Sequence, residues 1–142
     1  KKKKNQRWGM KLWRAAFLTK PDTAPEADRS DAWNRGKLLV NGAAHCAACH
    51  TTRNFAGACI VSKRFSGNDA LPGGGKAPSI RTRDLVSEGW TTDDMAYALR
   101  SGITPSGDVF GGSMAEVVRY GTGFLSDADL NAMATYLLDN KS

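Results

Sequence analysis

Apolar positions recur at helical spacing in several stretches, separated by polar and glycine-rich ground. In residues 5–19, Trp8, Leu12, Trp13, Ala16 and Phe17 fall on one stripe, with Lys11 and Arg14 opposite. That pattern predicts a helix packed on its own domain or a neighbouring one. Its tryptophans beside Lys and Arg also suit a membrane surface. Residues 20–30 read as a loop, with Pro21, Pro25 and several acids. A second helix is predicted from Asp31 to Asn41, capped by Ser30 or Asp31. Trp33, Gly36, Leu39 and Val40 share its face, and Asn41-Gly42 is a stop signal.

Residues 66–80 are predicted loop, through Ser66-Gly67-Asn68, Pro72-Gly73-Gly74-Gly75 and Pro78. No G-K-[ST] follows the glycines and no strand precedes them, so a phosphate cradle is not indicated. Glycine here would let the backbone pass close to a flat group. Thr91 or Thr92 caps a predicted helix through Arg100, with Asp93 and Asp94 in its favourable first turn. Residues 101–113 are loop, and Met114 to Tyr120 a short helix. Ser126 caps a last helix, with Leu130, Met133, Ala134 and Leu137 as its apolar stripe. The expected class is all-α, with helices joined by glycine-rich loops. Its 142 residues suffice for one modest core, with residues 1–30 as a basic amphipathic extension or linker and 31–142 as the domain proper.

The net charge of +6 changes the picture only at one end. Eight basic and no acidic side chains fall within the first 20 residues, whereas the other 122 carry 12 basic and 14 acidic. A run such as Lys1–Lys4 is usually solvated, and the basicity does not describe a nucleic-acid-binding surface. Acidic lipid head groups or an acidic partner subunit fit it better. No apolar run approaches the 20 or so residues of a membrane span. No secretory leader is visible either, because Leu12 to Leu18 is short and broken by Arg14.

The chemistry concentrates in Cys46-Ala47-Ala48-Cys49-His50. This C-x-x-C-H pattern is the attachment site of a c-type haem. Each sulfur can form a thioether to one vinyl carbon, and the adjacent imidazole can donate to the iron. The chain has only three cysteines and two histidines. A thioredoxin-like dithiol needs a βαβ setting that is missing here. Structural zinc needs four ligands, which His45, Cys46, Cys49 and His50 would have to crowd into six residues. A pair of buried thiols leaves His50 unexplained. Because such a haem is attached outside the cytoplasm, the chain is expected to be mature or excerpted from a longer precursor.

For a second axial ligand the candidates are Met10, Met95, Met114, Met133 and His45. Packing explains Met95 and Met133, and Met10 precedes the motif. His45 adjoins the attaching segment on the wrong side. Met114 follows the flexible Phe110-Gly111-Gly112-Ser113, where a loop can carry its thioether to the face opposite His50. The Pro78 carbonyl is a candidate acceptor for the other N–H of His50, although Pro78 is equally well explained as loop punctuation. Arg53, Arg81 and Arg83 are candidates to neutralise haem propionates, against ordinary solvation. Cys59, in the small apolar run Ala56 to Val61, is expected to be buried rather than to bridge chains.

These residues resemble class I cytochromes c, whose first and last helices cross at a glycine opposite an aromatic, here Gly36 and Tyr136. More narrowly, Arg35-Gly36-Lys37-Leu38-Leu39-Val40 and His45 to Asn54 are similar to an inner haem domain of multihaem cytochrome c subunits. Those subunits serve membrane-bound bacterial alcohol, gluconate, glucose and fructose dehydrogenases. Gly111 to Val118 resembles their Met-ligand segment, and Arg7 to Phe17 their linker between haem domains. The resemblance implies one haem c on Cys46 and Cys49 with His50 and Met114 on the iron. It also implies a periplasmic site at the outer face of the cytoplasmic membrane. A flavin- or quinone-cofactor catalytic subunit would lie upstream, and ubiquinone or further haem domains downstream. The chain departs from such subunits in carrying one haem motif, and in having Thr52 where a proline is common. Electron transfer is the expected function. The rival is a haem enzyme with a labile distal site, thiosulfate dehydrogenase-like or peroxidase-like. A further rival is an anchoring subunit working through residues 1–20. An acid–base or nucleophilic enzyme lacks a constellation, since only His45 remains beside His50.

Overall fold

The computed structural model describes residues 2–71 and 74–139, with side chains from Arg7 onward. Lys1, and the Pro72-Gly73 pair of the predicted glycine-rich loop, lie outside the described residues. Among the described residues six α-helices follow in order: α1 (Lys2–Phe17), α2 (Asp31–Leu38), α3 (Thr82–Ser87), α4 (Thr92–Ser101), α5 (Gly112–Tyr120) and α6 (Asp127–Leu138). Among the described residues there are no strands, only four isolated bridges such as Thr51 with Gly67 and Asn68 with Ala77.

The helix starts obey simple capping chemistry. The Ser30 hydroxyl accepts the Trp33 N–H at the start of α2, and Ser126 accepts Asp129 N–H at the start of α6. Thr91 and Asp94 cap one another reciprocally at α4. Gly102 ends α4 in the left-handed region. The expected stop of the second helix at Asn41-Gly42 is corrected: α2 ends at Leu38 and a π-helical turn, Leu39–Ala43, carries the winding onward. Asn41 is held by tertiary bonds rather than acting as a terminator. It is buried, donates to the Asp22 carbonyl and the Tyr136 hydroxyl, and accepts from Arg64. Helix α3 was not anticipated. It has six residues, no side-chain cap at Arg81 and one buried apolar residue, Leu85.

Helix α6 packs on both α2 and α4 and centres the core. Trp33, Leu39, Val40, Phe65, Leu85, Met95, Leu99, Leu130, Met133 and Leu137 are all buried there. The α2–α6 crossing depends on Gly36. A Cβ at that position would collide with the carbonyl of Ala132 and come within 2.8 Å of Tyr136 Cβ. The Trp33 and Tyr136 rings pack edge-on beside it, with centroids 4.9 Å apart.

Residues 22–30, read from the sequence as part of an extension, are tied to this core. Lys37 is 3 % exposed, and its ammonium lies 2.9 Å from both the Asp22 and Glu26 carboxylates. The Asn34 side chain bonds the Glu26 backbone on both sides. Helix α1 differs. Its Trp13 indole donates to the Ala56 carbonyl at 2.8 Å, while Trp8, Leu12 and Phe17 remain exposed. Most of the predicted apolar stripe of α1 is therefore uncovered.

Candidate functional site

The cysteine pair sits on a tight turn. His45 is in the left-handed region at φ 40°, and a 3-10 turn follows at Cys46–Ala48. The Cys46 carbonyl accepts both the Cys49 and His50 N–H groups, which sets the spacing of the two sulfurs and the imidazole. All three cysteines are free thiols. Burial pushes the half-buried Cys46 thiol up to about 11. Among the described residues no group of three or more His, Cys, Asp or Glu is arranged to hold a metal ion.

His50 is oriented from behind. Its Nδ1 lies 2.8 Å from the Pro78 carbonyl, so the ring donates there and keeps Nε2 as its free lone pair. Burial pulls the imidazole below its ordinary value, while the Pro78 bond works against that shift. The neutral ring is the form that ligates metals.

Arg53 braces the same turn. Its guanidinium donates to the Ala48 carbonyl at 2.8 Å and the Gly57 carbonyl at 2.7 Å, and Asn54 ties the intervening turn through Ala56 N–H and Ala58 N–H. Arg53 Nε is buried with no partner. Arg81 donates to the Arg64 and Ser62 carbonyls, and Arg83 pairs with Asp84. The expected burial of Cys59 is corrected. Ala58 is buried and Cys59 is exposed, because the bridge of Cys59 with Arg53 is extended backbone whose side chains alternate in and out.

Met114 is the third residue of α5, half-buried and packed against the core cluster. Met95 and Met133 are buried in that core, whereas Met10 is exposed on α1. The His45 ring faces the Ala43 carbonyl at 3.1 Å. A cavity of about 360 Å³ between α4 and α5, lined by Arg100, Val109, Phe110, Val118 and Phe124, includes none of the predicted site residues.

The sequence reading missed the scaffold behind His50. Thr51 is 1 % exposed, and its hydroxyl accepts Phe65 N–H. Gly67 N–H donates to the His50 carbonyl, and Asn68 exchanges two backbone bonds with Ala77. The available signal was Ser66-Gly67-Asn68, read only as a turn.

Two free thiols spaced by a tight turn, an imidazole next to them held by the Pro78 carbonyl, and a helical frame among the described residues make the pattern of a c-type cytochrome. No family model matches the chain. Over 94 % of its length it is 40 % identical to the "Alcohol dehydrogenase (quinone), cytochrome c subunit" of Gluconobacter oxydans, of which it covers 29 %. It is 38 % identical over 92 % of its length to a "Diheme cytochrome c-type" of Cereibacter sphaeroides, covering 40 % of that protein. To the "Fructose dehydrogenase cytochrome subunit" of Gluconobacter japonicus it is 38 % identical over 76 % of its length, covering 22 %. The chain is thus a homologue of the cytochrome c subunits of dehydrogenases, and it spans well under half the length of these relatives.

Proposed function

We propose that this chain is a class I cytochrome c domain that relays electrons from a dehydrogenase catalytic subunit toward a quinone or another haem. The observation that carries this reading is the His50 imidazole, adjacent to the free Cys49 thiol and held by the Pro78 carbonyl with Nε2 unspent. Cys46 and Cys49 would hold one haem c covalently, with His50 and Met114 as its axial ligands. The donor set fits: two unpaired thiols, one neutral imidazole and one half-buried thioether. When bound, the haem supplies one-electron chemistry at an iron whose potential a Met ligand raises.

The chain's own residues then have defined tasks. The Cys46–Ala48 turn fixes the spacing of the sulfurs, and Arg53 braces that turn. Pro78 keeps Nδ1 protonated and aimed. Met114, on a helix whose N-cap is Gly111 with no side-chain bond, would supply the iron's second protein ligand, which would leave little access for small molecules. Arg53, with an unpartnered buried Nε, has a donor open for an acidic substituent of the cofactor.

The relatives' names support a dehydrogenase partner, with a flavin- or quinone-cofactor catalytic subunit upstream and ubiquinone or further haem domains downstream. A periplasmic location at the outer face of the cytoplasmic membrane goes with that assembly. Residues 1–30 form the basic extension and 31–142 the haem-bearing unit, with residues 22–30 strapping the two together. The uncovered Trp8 and Leu12, beside Lys11 and Arg14, make α1 the side for an acidic partner surface or membrane. Among the described residues no helix is long and apolar enough to cross a membrane.

The test is the weak near-infrared Met–iron absorption of the oxidised protein. It should be present in the natural chain and absent in Met114→Ala. Its absence in the natural chain would leave a labile distal site and favour the enzyme reading.

A further inference from the structure

Three backbone segments meet behind His50. Gly67 lies between them at φ 86°, and a Cβ there would come within 2.9 Å of the Ala77 carbonyl oxygen, 3.0 Å of Ser79 N and 3.1 Å of Pro78 C. Gly67 N–H donates to the His50 carbonyl at 3.0 Å, and the Thr52 hydroxyl donates to the Gly67 carbonyl at 3.1 Å. The backbone carrying His50 and the backbone carrying Pro78 therefore both rest against Gly67. Asn68 and Ala77 exchange backbone bonds on one flank of Pro78. On the other flank Ile80 N–H donates to the Phe65 carbonyl.

The residue after Pro78 has a partner of its own. Ser79 Oγ lies 2.5 Å from Asp84 Oδ2 and 3.1 Å from the Phe65 carbonyl. One hydroxyl has one proton, and the shorter, charged acceptor takes it. The same oxygen accepts Arg81 N–H at 3.3 Å. Asp84 is the third residue of α3, so the carboxylate belongs to a helix that packs on α6. The Arg81 side chain makes no capping bond at the start of α3; its backbone N–H is met by Ser79 Oγ instead. The Ser79 hydroxyl holds the Asp84 carboxyl below the usual range more than any other contact does.

We infer that Ser79 and Asp84 are positioning residues that aim the Pro78 carbonyl at His50 Nδ1 and so set how strongly that hydrogen bond polarises the imidazole. This rests on His50 being the axial ligand proposed above. A rigidly held acceptor makes the ring a stronger donor to the iron and favours the oxidised state. Loosening the clamp should weaken the bond and raise the potential. Ser79→Ala tests this without changing any charge near the haem.

The readout is the His50 Nδ1 proton in the reduced, haem-loaded protein, followed by NMR solvent exchange, together with the midpoint potential. Ser79→Ala should speed exchange about tenfold, the scale of one net hydrogen bond. It should also shift the ferrous-to-ferric ratio toward ferrous by roughly threefold at fixed applied potential. Ser79→Thr keeps the hydroxyl and should restore both values. Asp84→Asn should speed exchange as well, and it decides the matter if Ser79→Ala does not accumulate. Unchanged exchange and potential in a variant whose spectrum is native would overturn the clamp. A natural protein without a histidine-ligated haem would instead sink the reading on which the clamp rests.

Discussion

The His50 side and the Met114 side of the molecule are built by different means. Behind His50, irregular backbone is fixed by polar contacts: Thr51 to Phe65, Gly67 to His50, Asn68 to Ala77 and Ser79 to Asp84. Around Met114, a helix begins at Gly111 with no side-chain cap, and Val109, Val117, Tyr120 and Phe124 stay exposed. A directional ligand such as imidazole benefits from a rigid mount. A soft thioether on three rotatable bonds tolerates a loose one. On the ligation proposed above, stability and the His50 geometry are set on the first side, and the second side is free to adapt.

Glycine substitutions give the largest expected contrast. Gly67→Val should cost about 3 kcal/mol, from a non-glycine residue in the left-handed region and contacts with the 77–79 backbone. Gly111→Ala meets nothing within 4 Å and should cost less than about 1 kcal/mol. Chemical denaturation of the haem-loaded variants measures both. Equal losses would erase the distinction between the two sides.

Next comes a buried hydroxyl against a sulfur. Thr51→Val leaves Phe65 N–H without its acceptor in a buried setting and should cost about 2 kcal/mol. Met114→Leu nearly conserves volume and should cost less than about 1.5 kcal/mol of packing. It should still abolish the near-infrared band. Denaturation midpoints and spectra together separate packing from ligation.

The smallest effect is a pH dependence. Because Ser79 holds Asp84 below the usual carboxylate range, that contact contributes stability above about pH 4. The contribution fades as pH falls from there through the lower folded value. Asp84→Asn should therefore flatten stability against pH in that acid window and leave the neutral region's slope unchanged. Acid titrations of thermal midpoints in the two proteins check it.

Much of this was legible in the sequence, and the parts that were not share a cause. Cys46, Cys49 and His50 announce themselves by spacing, and Ser30, Thr91 and Ser126 cap helices through local chemistry. The Gly36–Tyr136 crossing was expected only from the resemblance to class I cytochromes c, and the structure packs Gly36 against Ala132 and Tyr136. The π-helical turn after Leu38 was not legible, because Asn41 is held by Asp22, Tyr136 and Arg64 from distant parts of the chain. Cys59 looked buried by composition, yet the alternation of an extended segment turned it outward. Helix α3 and the roles of Thr51, Gly67, Ser79 and Asp84 depend on contacts between loops, which leave no periodic trace. The uncovered stripe of α1 is a different matter: its amphipathic pattern was plain, but a pattern does not say what covers it.

The most direct check is whether colour stays with the polypeptide after acid–acetone extraction of protein matured in a periplasm. The account predicts one haem per chain retained in the pellet, with the pyridine haemochrome spectrum of a doubly thioether-linked group, and its loss when Cys46 and Cys49 are both alanine. Haem that extracts freely, or a colourless natural chain, would contradict it.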